Sequence, residues 1–497
     1  MFMNRLLRPY IFLPLAIILL LALWAISNEV SDSVPPLPAA PTYAPVQPGT
    51  LIPDDEASRL MHDLAFGADP QQAIDVILSA RDTRFIAVFI ELMRANQIRL
   101  LQGAGYGAHI EALETLSGQS FGDDWPAWVE WYGGTSLTPP PGFTGWKGKV
   151  FAIIDPAFEA FLQDDHPSTI RVEEIQWGGV VVDGIPALKN AGMIPADEAS
   201  YLTAEEPVFG ISINGDHRAY PLRILDWHEM ANDVVGSVPL SLAYCTLCGS
   251  GIAFDGRASN GETYTFGSSG FLFRSNKLMY DHQTRTLWNH ITGEPVLGEL
   301  AGKGIKLNLL PVVVTSWESW LEQHPDTRVL DVKTGYERPY VPGAAYGSYF
   351  ASNDTMFPVW QRSKLLETKD RIYALHVDRI PKAYPLTILI EEIVVNDVIG
   401  ETAVVLIASR GDITVDAAGS PTYNAGGEVR AYDRMEETFQ PGSDASTVLD
   451  SAGKLWQVTE EALVGPNGEH APRLNGHLAY WFGWYSFFPK TLLYGEK

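Results

Sequence analysis

Cys245 and Cys248 are the only two cysteines of the 497-residue chain, and they stand in the turn Cys245-Thr246-Leu247-Cys248-Gly249. A Cys-x-x-Cys turn can aim two sulfurs at one metal ion, and the glycine after it lets the backbone bend around them. With no further cysteine a four-cysteine zinc ribbon is excluded, so a metal site needs a ligand from elsewhere. His228 is the natural third ligand, and a set of two thiolates and an imidazole suits copper or zinc. Three protein ligands would leave one position open. The same pair also reads as a disulfide in an oxidising compartment, as a redox-cycling dithiol, or as buried and inert cysteines. Trp227-His228-Glu229 adds a further choice. Glu229 either orients His228 behind a metal or works with it as acid and base, as a hydrolase acting on cell-envelope carbohydrate would require.

Other chemistry-bearing residues read as structural. Gly267-Ser268-Ser269-Gly270 does not fit the G-x-S-x-G nucleophile elbow and suits a tight turn. Asp281 lies between Tyr280 and His282, and Tyr432-Asp433 offers it a counterpart, which favours a structural role. His282 and His290 are two further histidines of the same stretch.

The scaffold that must position these groups is written twice. Residues 208–242 and 372–406 are two versions of one segment, 164 positions apart. Ala219-Tyr220-Pro221-Leu222 recurs as Ala383-Tyr384-Pro385-Leu386, and Asn232-Asp233-Val234 as Asn396-Asp397-Val398. Far downstream, Trp317, Trp320, Pro325 and Thr327 fall opposite Trp481, Trp484, Pro489 and Thr491 in the same frame. His228 then faces Glu392, Cys245 faces Ser409 and Cys248 faces Asp412. Joint absence of all three from the second copy marks them as one functional unit. Asn232-Asp233, present in both, suits a helix-end or turn device.

Within the first copy, Val208–Ile213 alternates as a half-buried strand, Asn214-Gly215 is a hairpin turn, and Arg218–Leu222 returns. A short helix over Leu222 to Val235 ends at Gly236. Val238–Tyr244, Ile252–Phe254 and Thr263–Phe266 read as further strands, and the second copy repeats the order from Arg371. Before the copies, Asp69-Pro70 and Asp82 are helix starts, and apolar residues recur at helical spacing from Ile74 to Leu92. The Gly- and Pro-rich stretch Gly133–Gly148 marks a boundary. The tryptophans Trp317, Trp320, Trp481 and Trp484 read as core, with a sugar-stacking platform as the alternative.

Length and composition bound the rest. A hydrophobic content of 46% makes the chain globular rather than disordered. A net charge of −25, offset by no basic stripe, argues against nucleic acid and anionic lipid surfaces as partners. Arg5 and Arg8 precede the apolar run Tyr10–Ile26, and seven prolines from Pro35 to Pro53 form a stiff spacer. These expectations give five regions: a signal anchor or cleaved signal peptide (1–28), a Pro-rich linker (29–53), a helical module (54–135), a first repeat with the His/Cys/Cys set (170–335) and a degenerate second repeat (357–497). The fold class is α+β, a mostly β body of two duplicated halves, with the body outside the cytoplasm. The membrane, through the N-terminal segment, and a protein docked on the helical module are the partners expected.

The ordered motifs Arg218–Leu222, Trp227-His228-Glu229, Asn232-Asp233, Tyr244–Gly249, Met279-Tyr280-Asp281, Leu287-Trp288 and Trp481-Phe482-Gly483-Trp484 resemble a family known as domain of unknown function 3179. The resemblance covers roughly residues 170 to 497 and implies no activity. It implies that His228, Cys245 and Cys248 are family-typical and that His282 and His290 are not. Two functional expectations follow: a membrane-tethered protein that binds copper or zinc, or cycles a dithiol, at His228, Cys245 and Cys248; or a His228/Glu229 hydrolase. A non-catalytic scaffold is the third.

Overall fold

A computed structural model describes residues 49–101, 105–416, 419 and 421–496. The apolar run Tyr10–Ile26 and most of the proline spacer lie outside the described residues. Among the described residues, no helix is long and apolar enough to cross a membrane.

The chain is a mixed α+β protein with a helical N-terminal module and a mostly β body. Helices run over Asp54–Phe66, Gln71–Ala80, Phe85–Gln97, Tyr106–Ser117 and Trp125–Gly133. Asp69 and Asp82 do start helices: their carboxylates accept from the backbone N–H of Gln71 and Arg84. The Gly/Pro stretch does not end the module, because Phe143–Ala152 forms another helix. Trp146 of that helix donates to the Met61 carbonyl at 2.7 Å, closing it onto the first. Buried Lys147 pairs with Glu91 at 2.8 Å and donates to the Ile175 carbonyl, which fastens the module to the β body.

The body is built along two paths with the same element order. In the first half, strands Pro207–Ile213 and Asp216–Pro221 pair antiparallel around Asn214 and Gly215, both at positive φ, as the hairpin signal requires. Val313–Ser316 flanks the hairpin antiparallel on one side and Arg328–Leu330 parallel on the other. In the second half, Arg371–Val377 and Ile380–Pro385 make the same hairpin, flanked antiparallel by His477–Tyr480 and parallel by Leu492–Leu493.

Helices Leu222–His228 and Leu386–Glu392 follow the two hairpins. Here the structure departs from the sequence reading. The helix stops at His228, and Met230–Val235 is a strand paired with Val238–Cys245 through Gly236 and Ser237, both at positive φ. The helical period suited 222–235, but Gly236-Ser237 closes a hairpin, and pairing satisfies the backbone of 230–235 better than one more helical turn. Asn232 and Asp233 are therefore strand residues. Asn232 exchanges two hydrogen bonds with the backbone of Phe266, and Asn396 does the same with Phe439. Asp233 accepts from the Tyr220 hydroxyl, as Asp397 does from Tyr384.

Gly267–Gly270 is not a turn either: it lies inside strand Phe266–Phe273. Gly270, at φ 79°, lets the chain pass where a Cβ would meet the Val180 carbonyl oxygen at 2.6 Å. Ser269 is buried and donates to the Leu278 carbonyl. The counterpart of Asp281 also changes. Asp281 accepts from the Trp288 indole N–H, and Asp450, not Asp433, accepts from that of Trp456. Trp317, Trp320, Trp481 and Trp484 are all buried, which leaves no sugar-stacking platform among them.

Candidate functional site

Each element around the cysteines turns sharply for a local reason. Helix Leu222–His228 ends on Glu229, a non-glycine residue at φ 54°, which redirects the chain into strand Met230–Val235. Ile393 holds the same place after the second helix at φ 66°, an unfavourable conformation for a β-branched residue. The turn is thus a requirement of the path, whatever side chain it carries. Strand Val238–Cys245 then runs into a single 3-10 turn over Thr246–Cys248, and Gly249 at φ 61° reverses it. A Cβ on Gly249 would lie 3.0 Å from the Tyr480 ring and 3.2 Å from an Arg371 guanidinium nitrogen.

Cys245 and Cys248 form a disulfide, with their Cα atoms 5.3 Å apart. Both residues are buried, Cys245 at 2% exposure and Cys248 at 0%. Cys248 sits deeper, its Sγ 3.4 Å from the Ser275 carbonyl oxygen. Cys245 lines a small cleft of about 60 Å³, shared with Glu229, Leu247, Lys277, Tyr346 and Met356.

Glu229 and Lys277 are the charged groups of this cleft. The Glu229 carboxylate pairs with the Lys277 ammonium at 2.9 Å and accepts from the Thr246 hydroxyl at 3.2 Å, so it grips the cysteine turn directly. Both are nearly buried, at 8% and 4% exposure. Asp226, one helical turn before Glu229, is buried as well, and its Oδ1 has no hydrogen-bond partner. Burial pushes its carboxyl well above the usual carboxylate range, and the nearby Glu229 charge pushes the same way. Burial thus favours the neutral form of the Asp226 carboxyl. Burial and the Glu229 charge likewise raise the Tyr346 hydroxyl, keeping it protonated.

His228 is not brought to the sulfurs. Its Nδ1 lies 2.8 Å from the Pro186 carbonyl oxygen, which can only accept, so Nδ1 carries the proton. Nε2 accepts from the Tyr340 hydroxyl at 2.5 Å, and that hydroxyl also meets Thr334 Oγ1. The ring is fully buried, and burial lowers its pKa below the ordinary histidine value. Both nitrogens are engaged and the ring does not border the cleft, so the third ligand and the acid–base partner that the sequence suggested are both occupied elsewhere. The physical reason is the segment joining the halves. It crosses the first half with Tyr340 on His228, Tyr346 and Met356 over the cleft, and the Tyr349 hydroxyl donating to the Leu247 carbonyl. Among the described residues, no group of three His, Cys, Asp or Glu side chains is placed to hold a metal ion. His282 is exposed, and buried His290 contacts Ser250, its pKa pushed down to about 3 by burial.

Asp226, Lys277 and Tyr346 were absent from the sequence reading, and Thr246 entered it only as a member of the cysteine turn. Asp226 was legible, because Ile390 stands opposite it in the same 164-residue frame, as Ile393 stands opposite Glu229. Lys277 was not, because loops of different length break the frame between Cys248 and Trp317.

A family model described as protein of unknown function (DUF3179) matches residues 182–491. The chain belongs to this family. The match spans both halves of this DUF3179 protein and begins beyond the helical module. No curated protein and no solved structure matches the chain. The family description carries no activity.

Proposed function

We propose that this protein is an extracytoplasmic, membrane-tethered thiol–disulfide redox protein whose centre is Cys245–Cys248. The observation that carries the reading is the disulfide itself, with Cys245 bordering a cleft that also holds a buried carboxylate and ammonium. The apolar run Tyr10–Ile26 behind two arginines supports the tether, and a disulfide suits a compartment outside the cytoplasm. The reaction is an exchange. A thiolate partner attacks Cys245 Sγ, the sulfur at the cleft, and Cys248 leaves as a thiolate. A second thiolate then attacks the partner's sulfur in the mixed disulfide and releases Cys245. In sum, one protein disulfide and two thiols become one protein dithiol and one partner disulfide.

The two halves are, on this reading, copies of one unit of which the second has lost the redox residues. Support comes from the shared strand order, from paired devices such as Asn232/Asn396, and from the matching helix-end turns.

The test is thiol counting on the folded protein in dithiothreitol, then after transfer to oxidised glutathione. Two thiols should appear and disappear reversibly while circular dichroism stays native, and a Cys245→Ser/Cys248→Ser variant should show neither event. A disulfide that yields to reductant only when the chain unfolds would be structural, and the reading would fall.

A further inference from the structure

We propose that Glu229, paired with Lys277 and backed by Asp226, is the base and acid that moves the Cys245 proton during exchange. The inference rests on the redox reading above and adds the proton path to it.

Geometry carries it. Glu229 and Lys277 line the same cleft as Cys245, and the Glu229 carboxylate also holds Thr246, the next residue of the turn. The comparison between halves then removes the structural explanation. Placing two carboxylates and an ammonium out of water is costly, and the fold does not demand it. The same helix end and the same turn are built in the second half with Ile390 and Ile393, and strand Thr447–Asp450, the counterpart of the Lys277 strand, has no lysine. At this corner of the two halves, buried charge stands only in the half that holds the sulfurs.

The charge arrangement suits a proton carrier in a dry site. With the disulfide closed, Glu229 and Lys277 offset one another, and burial favours the neutral form of Asp226. When the reduced protein meets a partner disulfide, the Glu229 carboxylate takes the proton from the Cys245 thiol. The negative charge moves from oxygen to sulfur and stays beside the Lys277 ammonium, so the net charge of the cleft does not change. The Cys245 thiolate attacks the partner disulfide, and the first partner thiolate leaves and takes a proton from water. Cys248, deprotonated to solvent, then attacks Cys245 Sγ and expels the second partner thiolate, which is protonated by Glu229. Two protein thiols and one disulfide have become one protein disulfide and two thiols, and Glu229 is again a carboxylate. Asp226 takes part in no proton transfer. Its burial favours the neutral form, which keeps a second negative charge away from Glu229 and makes it a positioning residue.

The test follows the oxidation rate of the reduced full-length protein by oxidised glutathione across pH. The wild type should be fast at pH 7. Glu229→Gln, which keeps the shape, should be slower there by about 10²-fold. The gap should close as pH passes the ordinary cysteine value of about 8.5, because solvent then deprotonates Cys245 unaided. A purely structural role would shift the rate equally at every pH. The triple variant Asp226→Ile/Glu229→Ile/Lys277→Met, which carries the second half's two isoleucines and no charge in the cleft, should fold and follow the Glu229→Gln profile. If both variants keep the wild-type rate and profile, the proton path is overturned while the redox reading stands. If the wild type itself cannot be cycled, both fall together.

Discussion

In the first half of the body, helix Leu222–His228 delivers Asp226, His228 and Glu229 to the start of a strand; in the second, helix Leu386–Glu392 delivers Ile390, Glu392 and Ile393. Both helices run from a Pro at the end of a hairpin to a residue at positive φ, and both strands return through a tight turn. Beyond this point the halves separate. The first closes Cys245 and Cys248 into a disulfide over a cleft of about 60 Å³. The second carries Ser409 and Arg410 at the corresponding corner, beside a wider cleft of about 320 Å³ lined also by Ile393, Ser443 and Asp444. Groups shared by the halves are needed to make the path. Groups held by the first alone are free to serve chemistry, and at this corner Asp226, Glu229 and Lys277 bury charge that the second half does without.

Three measurements would break or sharpen that comparison. The largest effect belongs to shared core positions. Trp320 and Trp484 are buried and donate to Thr327 and Thr491 at 2.8 and 2.9 Å. Trp320→Ala and Trp484→Ala should each lower stability by about 3–5 kcal/mol in denaturant unfolding. A large cost in one half and little in the other would show that the halves do not share a structural logic.

A smaller effect of opposite sign is expected where the halves differ. Asp226→Ile should raise stability at pH 7 by about 2 kcal/mol, the usual sense when a buried ionisable group is replaced by an apolar one of similar size. The folded carboxyl of Asp226 is raised above its unfolded value. Its favourable contribution is therefore complete below the ordinary carboxylate range and lost as pH rises from that range through the raised folded value. The gain from Asp226→Ile should accordingly grow with pH above about 4, as thermal melts across pH would read. A gain that is flat with pH would mean that Asp226 is ionised in the fold.

The smallest effect concerns a shared polar device in two settings. Asn232 is buried, whereas Asn396 is partly exposed, though each clamps one backbone residue with two hydrogen bonds. Asn232→Ala should cost about 2 kcal/mol and Asn396→Ala about half of that, since water can replace the lost bonds at the more open site. Equal losses by chemical denaturation would indicate that the second half is as tightly sealed here as the first.

Much of this comparison could be read before any coordinates. The 164-residue frame aligned Tyr220 with Tyr384 and Trp320 with Trp484, and their hydrogen bonds are indeed alike. What failed were the places where period alone had to choose. Met230–Val235 continues an apolar pattern that a helix would tolerate, and only its pairing with Val238–Cys245 makes it a strand. Gly267–Gly270 has the composition of a turn, but strand Asn276–Asp281 pairs with Gly267 and Ser268 on one side, and the backbone N–H groups of Asp183 and Gly178 donate to Ser268 and Gly270 on the other. His228 looked like a ligand because of its position in the frame, while the residue that occupies its Nε2, Tyr340, lies 112 positions away in a segment with no counterpart motif.

The residue types and their spacing by themselves determined the two paths of like element order, the buried tryptophans, and the half that carries both cysteines, because those features depend on local turns and on repeated apolar positions. Tertiary structure alone decided which groups share the cleft. It joined the two sulfurs, turned His228 toward Pro186 and Tyr340, and set Lys277 against Glu229, because such encounters depend on how distant segments pack and no short-range pattern encodes them.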